Sequence, residues 1–157
     1  MTEETKKITK EEKKVEETPK QEEKKQTKEA KVRGLNLHIS KKHSVAICIF
    51  IKNKKIKEAI SLLEKVLRKE IAVPMKGEIP HRKNISSGRY PEKASKEFIK
   101  LLKSLDANCK VAGIEDPYIF IAKADRASRP YRRFGSTRFK RTNVLLTAKD
   151  KKEIERK

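Results

Sequence analysis

One 19-residue segment, ADRASRPYRRFGSTRFKRT at residues 124–142, restricts the fold of this chain more than any other stretch. It contains six of the 11 arginines in the sequence, together with one lysine, three aromatic residues and one acidic residue. The segments on either side, YIFIAKA and TNVLLTA, have the β-branched and aromatic composition of strands. The sequence therefore predicts a β-hairpin that turns near residues 132–134, where Gly135 supplies a positive φ.

The predicted hairpin, about residues 118–148, is too long to pack wholly against the remainder of the chain. Each arm of 13 residues would extend about 40 Å, and only its base is apolar, with residues 119–121 facing residues 144–146. An isolated two-stranded ribbon is marginal in water, and the basic side chains along it repel one another. We therefore expect the distal hairpin to be poorly ordered in the free protein and to become ordered on an anionic partner.

The choice of arginine indicates which anion this partner carries. A guanidinium group forms two parallel hydrogen bonds with a phosphate and stacks on nucleic-acid bases, and Tyr131, Phe134 and Phe139 supply further stacking surfaces. The whole chain of 157 residues has a net charge of +20, which favours nucleic acid as its partner and a membrane surface only second. No segment has the apolar length of a membrane span.

The remaining segments predict an α+β domain. Residues 1–31, with ten lysines, nine glutamates and four apolar residues, are expected to form a disordered tail, and a short strand follows within residues 31–39. Ser40 is the predicted N-cap of a first helix that continues through Lys52. Its apolar positions are Val45, Ala46, Ile49 and Phe50.

Two more helices have clear 3.6-residue periodicity, at residues 56–71 and from Pro91 to a C-terminal Gly113. Between them, residues 72–90 form a predicted long loop. The expected fold is three helices on a small antiparallel three-stranded sheet, two strands of which extend into a long protruding hairpin. The predicted boundaries are residues 1–31 for the tail, 32–149 for the domain and 150–157 for a charged end.

Catalysis has little support in the sequence. The three histidines, His38, His43 and His81, have no cysteine or carboxylate partners at metal-ligand spacing, and Cys48 and Cys109 lie in apolar helical patterns that favour buried, reduced thiols. Glycine-rich phosphate-binding motifs are absent from the sequence. We expect no enzyme activity, cofactor or metal, and two alternatives stay open: a DNA-binding architectural protein and an accessory subunit of an RNA-modifying enzyme.

Three stretches carry a resemblance to a known family. GRYPEKASKEFIKLLKSLDANCKVAGI and RPYRRFGSTRFKRTNVLLT, together with RGLNLHISKKHSVAI near the start, resemble the universal large-subunit ribosomal protein family numbered twenty-two in its archaeal and eukaryotic form. The resemblance covers about residues 31–149. It implies a cytoplasmic, structural constituent of the large ribosomal subunit that takes part in assembly and translation, with neighbouring ribosomal proteins as partners and no membrane.

The resemblance also assigns roles to individual residues. Those that would bind large-subunit ribosomal RNA are Arg33, Lys41, Lys42, His43, His81, Arg82, Lys83, Arg89, Lys123, Arg126, Arg129, Arg132, Arg133, Arg138, Lys140 and Arg141. The hairpin tip would help to line the nascent-peptide exit tunnel, beside the growing polypeptide. Its residues are Tyr131, Arg132, Arg133, Phe134 and Gly135.

Overall fold

A computed structural model describes residues 29–75 and 87–150 of the chain. The predicted tail up to residue 28, the greater part of the charged C-terminal end, and the three loop residues His81, Arg82 and Lys83 lie outside the described residues. The predictions made for them are therefore still predictions.

The described residues form three helices and five strands. In chain order these are β1 (Glu29–Leu37), α1 (Lys41–Ile51), α2 (Ile56–Leu67), β2 (Val73–Pro74), β3 (Gly88–Arg89), α3 (Glu92–Val111), β4 (Pro117–Arg126) and β5 (Thr142–Asp150). β1, β5 and β4 form an antiparallel sheet in that order. The predicted α+β fold, with three helices and a small three-stranded sheet, is confirmed.

The core lies between the helices and one face of this sheet. α3 packs against α2 and β1, and α1 packs against β4. Phe98, Leu102 and Leu105 of α3 are fully buried, as their helical spacing predicts. At the end of α3, Gly113 has a φ of 65°, and the N–H of Ile114 donates to the Cys109 carbonyl at 3.0 Å. This glycine-terminated hydrogen-bond pattern ends the helix where the sequence predicted.

The first strand begins earlier than predicted. β1 starts at Glu29, three residues before the expected domain boundary, and Ala30 is buried against the core. Buried and exposed residues alternate along β1, with Ala30, Val32 and Gly34 buried. The apolar Leu35 therefore points outward and is 69% exposed. At the other end of the domain, β5 continues to Asp150.

The buried face of α1 differs from the predicted one. The helix buries Ser44, Ile47, Cys48 and Ile51, whereas Ile49 is 73% exposed. Both faces of this helix carry apolar side chains, so periodicity alone could not decide which face packs against the sheet.

The predicted loop at residues 72–90 has paired ends. β2 and β3 form a short antiparallel sheet, in which Val73 lies opposite Arg89 and Pro74 opposite Gly88. Next to this pairing, the N–H of Met75 donates to the Ser87 carbonyl at 3.2 Å.

The hairpin differs from the predicted one in register and in regularity. A bulge between Ile119 and Ile121 places Ile119 opposite Ala148 and Ile121 opposite Thr147, so residues 119–121 do not face residues 144–146. Regular pairing ends at Arg126, because the chain beyond it has no third strand beside it and Pro130 has no N–H to donate.

The two arms nevertheless stay together as far as the tip. The N–H of Phe139 donates to the Pro130 carbonyl at 3.0 Å, and that of Arg132 donates to Thr137 at 2.9 Å. The turn is the predicted one: the N–H of Gly135 donates to the Arg132 carbonyl at 2.9 Å, and Gly135 has a φ of 69°.

Candidate nucleic-acid interface

The face of the sheet opposite the core carries two of the predicted RNA-binding residues. Arg33 of β1 and Lys123 of β4 both pair with Leu145 of β5, so the three side chains project from the same face. Adjacent strands lie about 4.8 Å apart, which places the Cα atoms of Arg33 and Lys123 about 10 Å apart. Both residues are exposed.

The base of the hairpin is tied to the segment between β1 and α1. Arg141 donates from Nη1 to the Asn36 carbonyl at 3.1 Å and contacts the His38 ring nitrogen Nε2. The Thr142 hydroxyl donates to the Ile39 carbonyl at 2.9 Å. These contacts hold the first basic segment beside the arginine-rich hairpin, although about 100 residues separate them in the chain.

A cleft of about 450 Å³ lies where these segments meet. It is bounded by the segment leading into α1, by the first turn of α3 and by the distal hairpin. None of its lining residues is acidic. They are His38, Ile39, Ser40, His43, Lys93, Ala94, Arg132, Phe139 and Lys140.

His43, a titratable residue of this group, is half-buried. Burial lowers its pKa below the usual value of 6.5, and the nearby positive charges of Arg89 and Lys140 lower it further. The imidazole is therefore kept neutral in a place where cations from β3 and from the hairpin approach it. An anion placed in the cleft would offset these charges.

The three aromatic residues of the distal hairpin, Tyr131, Phe134 and Phe139, each lie against the guanidinium group of an arginine. The Arg132 guanidinium lies 5.1 Å from the centre of the Phe139 ring, that of Arg133 5.6 Å from Phe134, and that of Arg138 4.2 Å from Tyr131. Arginine presents a flat face to such rings, which lysine cannot do. The tip thus exposes paired planar groups, each suited to stacking with a base.

The structure brings together some of the predicted residues and separates others. His43, Arg132 and Lys140 share the cleft, and Arg129 donates from Nε to the Phe139 carbonyl at 3.2 Å. The other predicted residues that the structure describes lie outside the cleft lining. Among them, Lys41 and Lys42 are exposed in the first turn of α1, Arg89 is in β3 and Arg126 ends β4.

Sequence reasoning missed Lys93, which lines the cleft from the start of α3. The sequence held a weak signal for this residue, since Lys93 comes two residues after Pro91 and close to the predicted basic loop. One lysine among 31 could not be singled out without the fold.

The described residues contain no cluster of three or more His, Cys, Asp or Glu that could hold a metal ion. Burial raises the pKa of Cys48 to about 12 and that of Cys109 to about 11, so both thiols are protonated at neutral pH and are poor nucleophiles. Among the helices in the described ranges, none is long and apolar enough to cross a membrane.

Fold and site together define a basic α+β domain with an acid-free cleft and an arginine-rich hairpin. Proteins with similar sequences include several archaeal ones that bear the name large ribosomal subunit protein uL22. The protein from Archaeoglobus fulgidus is 40% identical over 105 residues, which are 63% of this chain and 68% of the relative. That from Nanoarchaeum equitans is 39% identical over 103 residues, 59% of each chain.

A third relative, from Methanopyrus kandleri, is 37% identical over 92 residues, which are 54% of this chain and 58% of the relative. No family model matches the chain. The chain belongs to the uL22 family of large ribosomal subunit proteins, which confirms the family expected from its sequence.

Proposed function

We propose that this chain is a structural component of the large ribosomal subunit, in the cytoplasm, where its basic surface and arginine-rich hairpin bind large-subunit ribosomal RNA. One observation carries the proposal: Lys93 of α3 and the hairpin cations Arg132 and Lys140 converge with two histidines on a cleft whose described lining contains no acidic residue, in a member of the uL22 family. Charges arranged in this way repel one another unless an anionic partner neutralises them.

The chemistry of the exposed groups favours RNA as that partner. Arg33 and Lys123 on the open sheet face present cations about 10 Å apart, which suits contact with a phosphate backbone. The arginine–aromatic pairs of the tip supply flat surfaces for unpaired bases, which RNA exposes in loops and bulges. Neighbouring ribosomal proteins would cover further parts of the surface.

Incorporation into ribosomes tests this proposal directly. Large subunits would be isolated from cells that produce the tagged chain, washed at high salt and sedimented. We expect the chain to remain with the large subunit after the wash. Recovery of the chain with DNA, and none with the washed subunits, would contradict the proposal and support the architectural DNA-binding alternative.

The tip has a separate proposed role beside the nascent polypeptide in the exit tunnel. Its five residues, 131–135, are all exposed at the end of the hairpin. Removing them deletes Arg132 from the cleft but should leave incorporation into subunits intact, because the helices, the sheet and the other cations keep their contacts. It should change the passage of nascent chains, measured as stalling on reporter messages in vitro. Failure of the shortened chain to enter subunits would make the tip an assembly anchor instead.

A further inference from the structure

A protein does not need a cleft in order to bind a phosphate backbone. Lysines and arginines spread over a convex surface are sufficient for such contact, whereas here they surround a cavity with an aromatic ring in its wall. We propose that the cleft holds one unstacked nucleotide of ribosomal RNA, with its base against Phe139 and its phosphate among Arg132, Lys140 and Lys93. This inference rests on the proposed function, because RNA is the ligand in both.

The size and lining of the cleft suit a nucleotide. Its volume of about 450 Å³ lies within the range of about 300–1,000 Å³ typical of small-molecule sites. Phe139 is 39% exposed, so part of its ring is free to receive a base while the Arg132 guanidinium lies 5.1 Å from the ring centre. A base entering here would meet the part of the aromatic ring that the guanidinium leaves uncovered.

The charges around the cleft suit a phosphate group. Lys93, Arg132 and Lys140 line it together with His38 and His43, and no carboxylate belongs to the lining. Glu92 precedes Lys93 in the chain, but its carboxylate pairs with Lys69 at 3.4 Å. A phosphate would therefore meet several donors with no acidic side chain of the lining competing for them.

Binding of a phosphate in the cleft should change the protonation state of His43. In the free protein its imidazole is neutral and half-buried near Arg89 and Lys140. A bound phosphate would favour the protonated imidazolium, which donates from both ring nitrogens. Binding should consequently take up a proton and tighten as the pH falls.

A short single-stranded RNA is the suitable probe. The full chain would be titrated with a fluorescent pentanucleotide that carries 4-thiouridine at its centre, and the complex would then be irradiated to map the cross-link. We expect the cross-link to fall on residues of the cleft. Phe139→Leu removes the aromatic plane and should weaken binding about tenfold, given that stacking contributes about 1–3 kcal/mol per base.

Two matched controls accompany these measurements. Phe120→Leu makes the same change at a half-buried aromatic residue of β4 that lies outside the cleft lining, and should alter affinity less than twofold. Lys93→Gln should weaken binding several-fold more than Lys96→Gln, which removes the same charge from an exposed position on the same helix. The lysine pair also tests the inference if Phe139→Leu disturbs the hairpin.

Equal effects within both pairs, or a cross-link that maps outside the cleft, would overturn the inference. Measuring how much of the wild-type chain and of each variant stays with salt-washed large subunits distinguishes an error in this inference from an error in the proposed function. If the wild-type chain enters subunits while both pairs behave alike, the cleft inference alone is wrong. If the wild-type chain does not enter subunits at all, the proposed function itself is wrong.

Discussion

At the scale of single residues, arginine is used in the hairpin for its shape as well as its charge. Three guanidinium groups lie against the three aromatic rings of the distal segment, and Arg141 ties the hairpin base to Asn36. Lysine has the same charge but neither the flat face nor the forked donors. This difference explains why more than half of the arginine lies in 19 residues of the chain.

Replacing Arg132 with lysine tests this explanation. Arg132→Lys keeps the net charge and should still weaken binding to large-subunit ribosomal RNA several-fold, because the planar stacking and paired hydrogen bonds are lost. Arg68→Lys makes the same change at an exposed position after α2 and should have no effect. Filter-binding titrations at constant salt would compare them, and equal affinities would show that only charge matters.

His43 should make the stability of the free protein depend on pH. Because its pKa is lowered in the folded state, the unfolded chain takes up the proton first as the pH falls. Its contribution to the free energy of unfolding is therefore fully present above pH 6.5 and is lost as the pH falls toward the folded pKa. Denaturant midpoints between pH 7.5 and 5 would measure the loss, which His43→Gln should reduce; an unchanged profile would contradict the prediction.

At the scale of elements, α3 forms the centre of the fold. It packs against α2, β1 and β5, and its buried stripe runs through Ala94, Phe98, Leu102, Leu105 and Cys109. Its periodicity is the clearest in the chain because every third or fourth side chain enters the core.

Phe98→Ala should therefore cost about 3–5 kcal/mol of unfolding free energy, since it leaves a cavity at a fully buried position. For a domain stabilised by about 5–15 kcal/mol, little soluble protein is expected. Val111→Ala, in the last turn of the same helix at 91% exposure, is the control and should change stability by less than about 0.5 kcal/mol. Equal midpoints of urea unfolding would mean that the helix packs differently.

The distal hairpin should be the least protected of the described elements. Residues 131–140 are all exposed, and few backbone hydrogen bonds join the arms beyond Arg126. Amides of residues 127–140 are expected to exchange with solvent within seconds in the free protein, while those of α3 stay protected. Hydrogen exchange followed by mass spectrometry would measure both, and adding ribosomal RNA should slow exchange in the hairpin alone.

At the scale of the whole molecule, the described part of the chain begins with β1 at Glu29, and the lysine–glutamate tail stays a prediction for the residues before it. The tail up to residue 28 holds nine lysines and eight glutamates, so nine minus eight leaves a net charge of only +1. From Glu29 onward the chain pairs with β5, and Glu29 forms ion pairs with Lys31 and Lys149. Hydrogen bonds from the Lys149 ammonium group and then from that of Lys31 lower the pKa of the Glu29 carboxyl.

Removing residues 1–28 should thus leave both the thermal midpoint and RNA affinity nearly unchanged. Removing residues 1–31 should lower the midpoint by several degrees, because it deletes the buried Ala30 and three paired positions of β1. Thermal unfolding of the two truncated chains would compare them. Equal midpoints, or a large loss on removing residues 1–28 alone, would place the boundary elsewhere.

Several features of this protein follow from its sequence by itself. α3, the greater part of α2 and the turn at Gly135 are specified by residues that are close together in the chain: apolar side chains at helical spacing, and glycines at two of the positions of positive φ, 113 and 135. α2 ends at Leu67, four residues before the predicted end. The concentration of arginine was likewise sufficient to predict an anionic partner, since net charge does not depend on how the chain folds.

Only the tertiary structure decided the face of α1, the register of the hairpin and the existence of the cleft. α1 has apolar residues on both faces, and packing against β4 selected Ile47 and Ile51 over Ile49. The bulge after Ile119 shifted every later pairing of the hairpin by one residue. His43, Lys93 and Lys140 lie about 50 residues apart in succession, and no local pattern can specify that three such distant side chains share one cavity.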